Sequence, residues 1–366
     1  MNKWQIKDLK GVGDVELNLD SNQRVFAFFG TNGVGKTKTL EGIFFHSLLQ
    51  VIGFIPNKQD YLFENKFFSN IKTKDIDFYL ESDNGKVDFS KIFDKNLPKK
   101  YEAICYIGTN QRSQIARGIH GNFILRDILG RREILSRTIS EAILQNNLKS
   151  LGMSLDINEW FSERAKSVNP YQKEEDNRKT DIDSVLIALN KLDDRIEKEL
   201  AIDGNGNVYL TIEGQERELS SGFLSIIKII QSIISSYSAF TNEKDLLNIK
   251  GVVLIDEIES HLHLEWQIKI ISILKNLFPN TIFYITTHSP LVLSQLNEGE
   301  AYLLKRDDDN VVRSHLINSP NTRLLENVLQ DTFGVNLNEL KRQNMANIDQ
   351  SKAKKKLLDL LNGQVS

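Results

Sequence analysis

A single cysteine, Cys105, is all that this chain of 366 residues carries. No disulfide can form within it, and no cysteine-clustered metal site can be built. The thiol lies in the apolar run Ala103-Ile104-Cys105-Tyr106-Ile107, where a buried, inert side chain is expected. An excess of charge of one sign is missing too: 46 basic residues against 49 acidic ones leave a formal charge of −3. Such a balance offers no global field for nucleic acid or an acidic membrane surface, so any partner of that kind must meet a local patch. Long apolar runs are also lacking. The stretch from Ile43 to Ile55 is broken by His46, Ser47 and Gln50, and the opening MNKWQIKDLKG has no apolar signal core. A cytoplasmic protein with no membrane partner is the expectation. No internal repeat or low-complexity tract is visible, and with 40% hydrophobic residues the chain can bury one large core or two modest ones.

What is present is organised around Gly30-Thr31-Asn32-Gly33-Val34-Gly35-Lys36-Thr37, set between the apolar run Val25 to Phe29 and a helix-like run from Leu40 to Ile52. The pattern is that of a phosphate-binding loop between a strand and a helix. Its glycines let backbone N–H groups turn inward around phosphate oxygens, which a Cβ at Gly30, Gly33 or Gly35 would hinder. Lys36 brings a compact positive charge to the β and γ oxygens, and the Thr37 hydroxyl is placed to ligate Mg²⁺. Residues Gly30 to Lys38 are therefore the expected nucleotide cradle, with ATP and Mg²⁺ as the implied ligands.

Upstream, Trp4 to Leu9 and Val15 to Leu19 alternate as two antiparallel strands. Between residues 57 and 100, aromatics mix with Lys, Asp and Asn, and the pieces Phe78-Tyr79-Leu80 and Lys86-Val87-Asp88-Phe89 predict an antiparallel edge. The strand Ala103 to Ile107 ends in Gly108-Thr109-Asn110-Gln111-Arg112, where a polar side chain could reach bound nucleotide. From 118 to 200 the reading turns helical: Arg131 to Lys149, Ile157 to Ser167 and Asp181 to Leu200 carry apolar residues at three-to-four spacing around a polar loop at 169 to 178. The fold class expected is α/β, a mixed sheet with an antiparallel edge and an inserted helical subdomain. Residues 1–117 would form the first part of the core, 118–200 the helical insertion, 201–335 the second part of the core, and 336–366 a helical tail.

The remaining chemistry lies in the second half. Ser220-Ser221-Gly222 precedes an apolar helix from Leu224 to Ser236 and reads locally as an N-cap. The β-branched run Gly251 to Ile255 then ends in Asp256-Glu257, at the strand edge where ligands bind in parallel sheets. There Asp256 would hold Mg²⁺ through its water shell, and Glu257 would orient and polarise an attacking water. Ile258-Glu259-Ser260-His261-Leu262-His263 follows, then a helix from Glu265 to Phe278, then a strand from Thr281 to Thr286 ending in Thr287-His288-Ser289. His288, just past a strand parallel to the acid-bearing one, can reach the γ-phosphate end. None of Trp4, Phe26 and Phe28 stands out as a stacking partner for adenine.

Taken together, the order GTNGVGKT, LSSG, VVLIDE, IESHLH and THS resembles the ATP-binding-cassette ATPases, P-loop NTPases. Within them the chain is similar to the branch without membrane spans, the RecF-like, SMC-like and overcoming-lysogenization-defect ATPases. That resemblance covers roughly residues 1 to 46 and 215 to 335. It implies a head-to-tail homodimer, or a higher homo-oligomer, with two ATP molecules between subunits. Ser220 and Gly222 of one copy, with Ser221 between them, would close on the γ-phosphate held by the other copy's P-loop. His288 would be the switch histidine, Gln111 (or its rival Gln114) the residue that senses Mg²⁺ and water, and Glu259 and His261 part of the loop at the dimer interface. In that loop Leu264 replaces a proline frequent in the branch.

Transporter subunits keep a shorter separation between P-loop and signature, and the SMC and Rad50 types insert long coiled coils. Overcoming-lysogenization-defect nucleases continue into a metal-nuclease domain; here only Asp307-Asp308-Asp309 offers comparable spacing, and it reads as a hairpin turn. The chain is thus similar to the ATPase subunits of two-gene antiphage systems such as Septu, PARIS and AbiL, with a nuclease or toxin carried by a separate effector protein. The alternative is a RecF-like, DNA-binding ATPase of repair. Its support is Arg112, Arg117, Arg126, Arg131, Arg132 and Arg137 near the insertion and Lys352, Lys354, Lys355 and Lys356 near the end of the chain, against the blander reading of a solvated face. A transporter subunit is a third reading, disfavoured by LSSGF and the long insertion.

Overall fold

A computed structural model describes residues 2–54, 67–80, 97–109, 126–152, 157–168, 177–204, 208–215 and 219–322, with a few isolated residues between and beyond. The chain divides into two compact units, Met1–Asn321 and Thr322–Ser366, and all the elements named below belong to the first. Gln111, Gln114, Arg112, Arg117, the 86–89 piece and the lysines of the C-terminal tail lie outside the described residues.

The core is a sheet of 10 strands: β1 (Asn2–Leu9), β2 (Gly13–Leu19), β3 (Val25–Phe29), β4 (Asn70–Lys72), β5 (Asp77–Tyr79), β6 (Ala103–Ile107), β9 (Gly251–Ile255), β10 (Ile282–Thr286), β11 (Ala301–Arg306) and β12 (Val312–Leu316). Their spatial order is β5-β4-β1-β2-β12-β11-β3-β10-β9-β6. One side, from β11 through β3, β10 and β9 to β6, is parallel throughout. Every residue of β3, β6 and β9 is buried, which is why these strands read as unbroken apolar runs instead of alternating ones. The other side supplies the antiparallel pairs β1·β2, β1·β4 and β4·β5, the expected edge. A separate hairpin joins β7 (Ile196–Ile202) to β8 (Val208–Ile212).

Helix α1 (Lys36–Leu49) follows the P-loop, and α2 (Ile128–Leu144), α3 (Ile157–Ser167) and α4 (Thr180–Leu192) form the helical stretch. The long α5 (Ser221–Phe240) packs against β6, α2 and α4. It is apolar enough to cross a membrane by length and composition, and 83% of that stretch is buried against the rest of the chain. Short helices α6 (Leu264–Gln267), α7 (Ile270–Leu277) and α8 (Pro290–Leu293) complete the α-helices among the described residues.

Three expectations change. The helix expected from Asp181 to Leu200 stops at Leu192, and β7 begins at Ile196. Asn190 Nδ2 donates to the carbonyls of Asp194 and Ile196 there, turning the chain where the ladder would have continued. The helix expected from Glu265 to Phe278 is two helices, because the Gln295 side chain enters the ladder: its Oε1 accepts from Ile271 N–H at 3.0 Å while its Nε2 donates to the Gln267 carbonyl. Finally, Arg131 is not a surface cation. It is 7% exposed and bonds to Asp181, Ser238 and Asn177, while Arg132 donates to the carbonyls of Ala239 and Phe240. The basic patch near the insertion loses Arg131 to the interior and has the half-buried Arg132 tied to the end of α5.

The Asp307–Asp309 segment is a hairpin turn between β11 and β12. Arg313 bridges Asp307 and Asp309 and also reaches Glu16, and this pairing holds the Asp309 carboxyl down to about 2. Cys105 is buried as expected, and burial pushes its thiol up to about 12.

Candidate functional site

The P-loop runs from the end of β3 into α1 with Gly30, Gly33 and Gly35 at φ of 150°, 81° and 108°. Two of these glycines are also sterically required: a Cβ at Gly30 would lie 2.7 Å from the Leu304 carbonyl oxygen, and one at Gly35 2.7 Å from Val12 Cγ1. The β11 strand and the β1–β2 turn therefore press on the loop from outside and hold its shape. Thr31, Asn32 and Gly33 form the solvent-facing tip, and Val34 is tucked into the core. Backbone i→i−4 bonding begins at Thr39 N–H to the Gly35 carbonyl, so the amides of Lys36 to Lys38 precede the ladder, as anion-binding helix starts do.

Lys36 is 7% exposed, and its Nζ donates to the carbonyls of Gly30 and Thr31 at 2.9 and 3.0 Å. Burial lowers its pKa, and the charges of Glu257, Asp256 and Glu259 oppose that shift. The P-loop lysine and the acids following β9 thus share one electrostatic environment, although more than two hundred residues separate them.

A direct bond confirms the meeting: Thr37 Oγ1 donates to both carboxylate oxygens of Asp256 at 3.1 Å. Asp256 is 0% exposed. Burial raises its pKa, opposed by hydrogen bonds from Thr286 and Thr37. A buried acid destabilised in its charged form, beside a threonine hydroxyl at a P-loop, is an all-oxygen donor set of the type Mg²⁺ takes, so these residues fit that ion.

Sequence reasoning missed the next contact. The Thr286 hydroxyl donates to Asp256 Oδ1 at 2.6 Å and accepts from the Glu257 N–H at 2.8 Å. One hydroxyl therefore fixes both acids. The signal was available in the strand register, since Ile285 pairs with Ile255 and so sets Thr286 opposite Asp256. Glu257 itself sits at φ 48°, in the left-handed region, with Ser260 Oγ donating to its Oε2 at 3.2 Å.

His288, the expected switch residue, gives its backbone N–H to Glu259 Oε1 at 2.6 Å. The other Glu259 oxygen is buried without a hydrogen-bond partner. Glu259 thus ties the segment after the acids to the loop after β10. Lys38, expected in the cradle, has its ammonium engaged by Glu41 at 2.6 Å and Asn146 Oδ1 at 2.8 Å, which leaves its backbone amide as its contribution to a phosphate. Asn146 belongs to the turn after α2, and that turn also abuts the end of β6, where Gly108 N–H bonds the Leu151 carbonyl at 2.8 Å. A Cβ at Gly108 would fall 2.2 Å from the Lys149 carbonyl oxygen. Lys149 adds favourable charge toward both Asp256 and Glu41, a neighbour that no motif announced.

Ser220, Ser221 and Gly222 open α5. Ser220 is the N-cap, its Oγ accepting from the Phe223 N–H at 3.3 Å, as the local reading expects. Trp4, Phe26 and Phe28 are 6%, 2% and 0% exposed, so they serve the core rather than a base.

Among known proteins, this chain is 28% identical over 311 residues to the Septu protein PtuA of Bacillus mycoides (strain KBAB4), covering 81% of this chain and 38% of that one. It is 25% identical over 366 residues to the Septu protein PtuA of Bacillus thuringiensis, covering 90% and 84%. The chain thus spans well under half of one relative and most of the other. Among solved structures, the SMC head bound to the C-winged helix domain of ScpA aligns with a TM-score of 0.45 at 13% identity, covering 88% of this chain and 99% of that one. The sequence profile described as "AAA domain, putative AbiEii toxin, Type IV TA system" matches residues 25–294, from the P-loop strand through the acids of β9 to the loop of His288, and the chain belongs to that family.

Proposed function

We propose that this protein binds ATP with Mg²⁺ and hydrolyses it. The observation that carries the reading is the bond from Thr37 to Asp256, which joins P-loop and acid strand into one site. Mg²⁺, when bound, would neutralise charge on the β and γ phosphates, with Thr37 and Asp256 holding it and Gln111 expected beside it. Glu257 takes the proton of a water aimed at the γ-phosphate, Lys36 steadies the charge that develops, and His288 contacts the terminal phosphate. Ser220, Ser221 and Gly222 are the part of the site given to a second copy, so the working unit is an ATP-sandwiched homodimer or a larger assembly of such dimers.

The likeness to Septu PtuA proteins supports a role in antiphage defence. Here ATP-dependent dimerisation would gate a separate effector carrying nuclease or toxin chemistry, in the cytoplasm and with no membrane partner. The test is Glu257→Gln: nucleotide binding persists and turnover drops by about two to four orders of magnitude, the range for losing a positioned base. Unchanged turnover refutes the assignment of the base.

A further inference from the structure

Two serines open α5, and the structure separates their duties. Ser220 is the N-cap, while Ser221, the first helical residue, meets His263 Nε2 through its Oγ at 2.9 Å. The contact is built from several sides. A Cβ at Gly222 would lie 2.6 Å from His263 Cδ2 and 2.9 Å from Trp266 Cδ1. Phe223 stacks on Trp266 with ring centroids 5.3 Å apart, and Ser225 Oγ donates to the His261 carbonyl at 3.1 Å. The segment from His261 to Trp266 therefore clamps the start of α5. Ser221 and His263 themselves are exposed, next to Leu264 and Ile268, which expose 69% and 46% of their surface.

A hydroxyl has one proton to give. If Ser221 donates it to the imidazole, an approaching anion meets only lone pairs. If instead the His263 Nε2–H donates to Ser221 Oγ, the serine proton is free to point outward. Negative charge arriving at the start of a helix favours the second arrangement, because it attracts donors and the helix dipole acts in the same sense.

We propose that His263 is a positioning residue: its Nε2–H donates to Ser221 Oγ, making Ser221 a second outward donor beside Ser220 for the terminal phosphate of ATP held by another copy of this chain. The inference rests on the ATPase reading above. The exposed Leu264 and Ile268 beside the pair are the apolar surface that a second copy would cover.

The test uses the full chain with His263→Ala and His263→Gln, whose amide Nε2 can donate in place of the ring nitrogen, alongside Lys36→Ala and Glu257→Gln. Circular dichroism and melting verify that each variant folds. Expected for His263→Ala is unchanged affinity for a fluorescent ATP analogue at dilute, monomeric chain concentration, with KM for turnover raised about tenfold, the loss of one good hydrogen bond. His263→Gln recovers most of that loss.

At ATP concentrations well below the raised KM, mixing His263→Ala with Lys36→Ala restores turnover. A mixed head-to-tail dimer holds one site with both lesions and one site with neither. No recovery in the mixture, or an unchanged KM in His263→Ala, overturns the proposal. Absence of ATP turnover in the parent chain overturns the ATPase reading and this inference with it. Loss in Glu257→Gln beside an unaffected His263→Ala overturns the role of His263 alone.

Discussion

Thr286 concentrates at one atom what the site asks of its acids. Its hydroxyl donates to Asp256 and accepts from the Glu257 N–H, so the carboxylates proposed to hold the metal and to activate water are set relative to each other by a single buried oxygen. Valine keeps the shape of threonine and removes that oxygen, leaving a buried carboxylate one donor short and a backbone N–H without its acceptor. An unmet buried group of this kind costs roughly 1–3 kcal/mol. Thr286→Val should therefore lower stability by about 2 kcal/mol in denaturant titration and reduce turnover by at least about tenfold, while Thr286→Ser retains both. Full turnover in the valine variant would show that the strand ends hold the acids without the hydroxyl. The left-handed φ of Glu257, 48°, belongs to the same arrangement, since the chain leaves the strand abruptly at the acid that must face the site.

At the scale of elements, β9 and α5 show how much a composition pattern can carry. Both were legible in the sequence, β9 because burial on two faces leaves an unbroken apolar run, and α5 because its apolar spacing and Ser220 cap mark a helix start. The P-loop was legible for a similar reason: its glycines answer a local backbone demand. What stayed hidden joins residues far apart in the chain. Gln295 splits the helix expected from Glu265, His263 reaches Ser221, and Asn146 takes the Lys38 ammonium, and none of these pairs leaves a periodic trace. The seam between β9 and α5 is of that kind too. Tyr237 on α5 bonds Thr281 at 2.8 Å and lies over Gly251, where an added Cβ would fall 2.0 Å from the phenol oxygen. Gly251→Ala should destabilise by about 1–3 kcal/mol through overpacking, read as a lowered melting temperature, and Tyr237→Phe in the same chain should return part of that loss. An unchanged melting temperature in Gly251→Ala would mean that α5 shifts freely over the strand.

For the unit as a whole, acid stability hinges on a histidine that no function claims. His46 lies on α1, 3% exposed, edge-on to Trp4 of β1 at 4.4 Å and bonded through Nε2 to Thr73 at 3.2 Å. Burial, with the charge of Lys100 adding to it, holds its pKa down to about 3, against 6.5 for an unperturbed imidazole. Above pH 6.5 the ring is neutral in both the folded and the unfolded chain, and it contributes nothing to the pH dependence. Below that value the unfolded chain takes up a proton that the fold refuses, so stability falls as the pH drops toward 3, by about 1.4 kcal/mol per pH unit. Between pH 7 and pH 5 the expected loss from this ring is about 2 kcal/mol, in a range where most carboxylates remain ionised. His46→Phe keeps an aromatic ring against Trp4 and removes the titration, so its urea-unfolding free energy should change by about 2 kcal/mol less over that interval. Because α1 carries the P-loop at its start, protonation would strike the same helix that grips nucleotide. Saturating ATP and Mg²⁺, which on the proposed function bind only the folded chain, should therefore move the acid midpoint of the parent protein downward. In Lys36→Ala that shift should vanish while the pH dependence set by His46 remains, which separates the stability of the unit from the chemistry it supports.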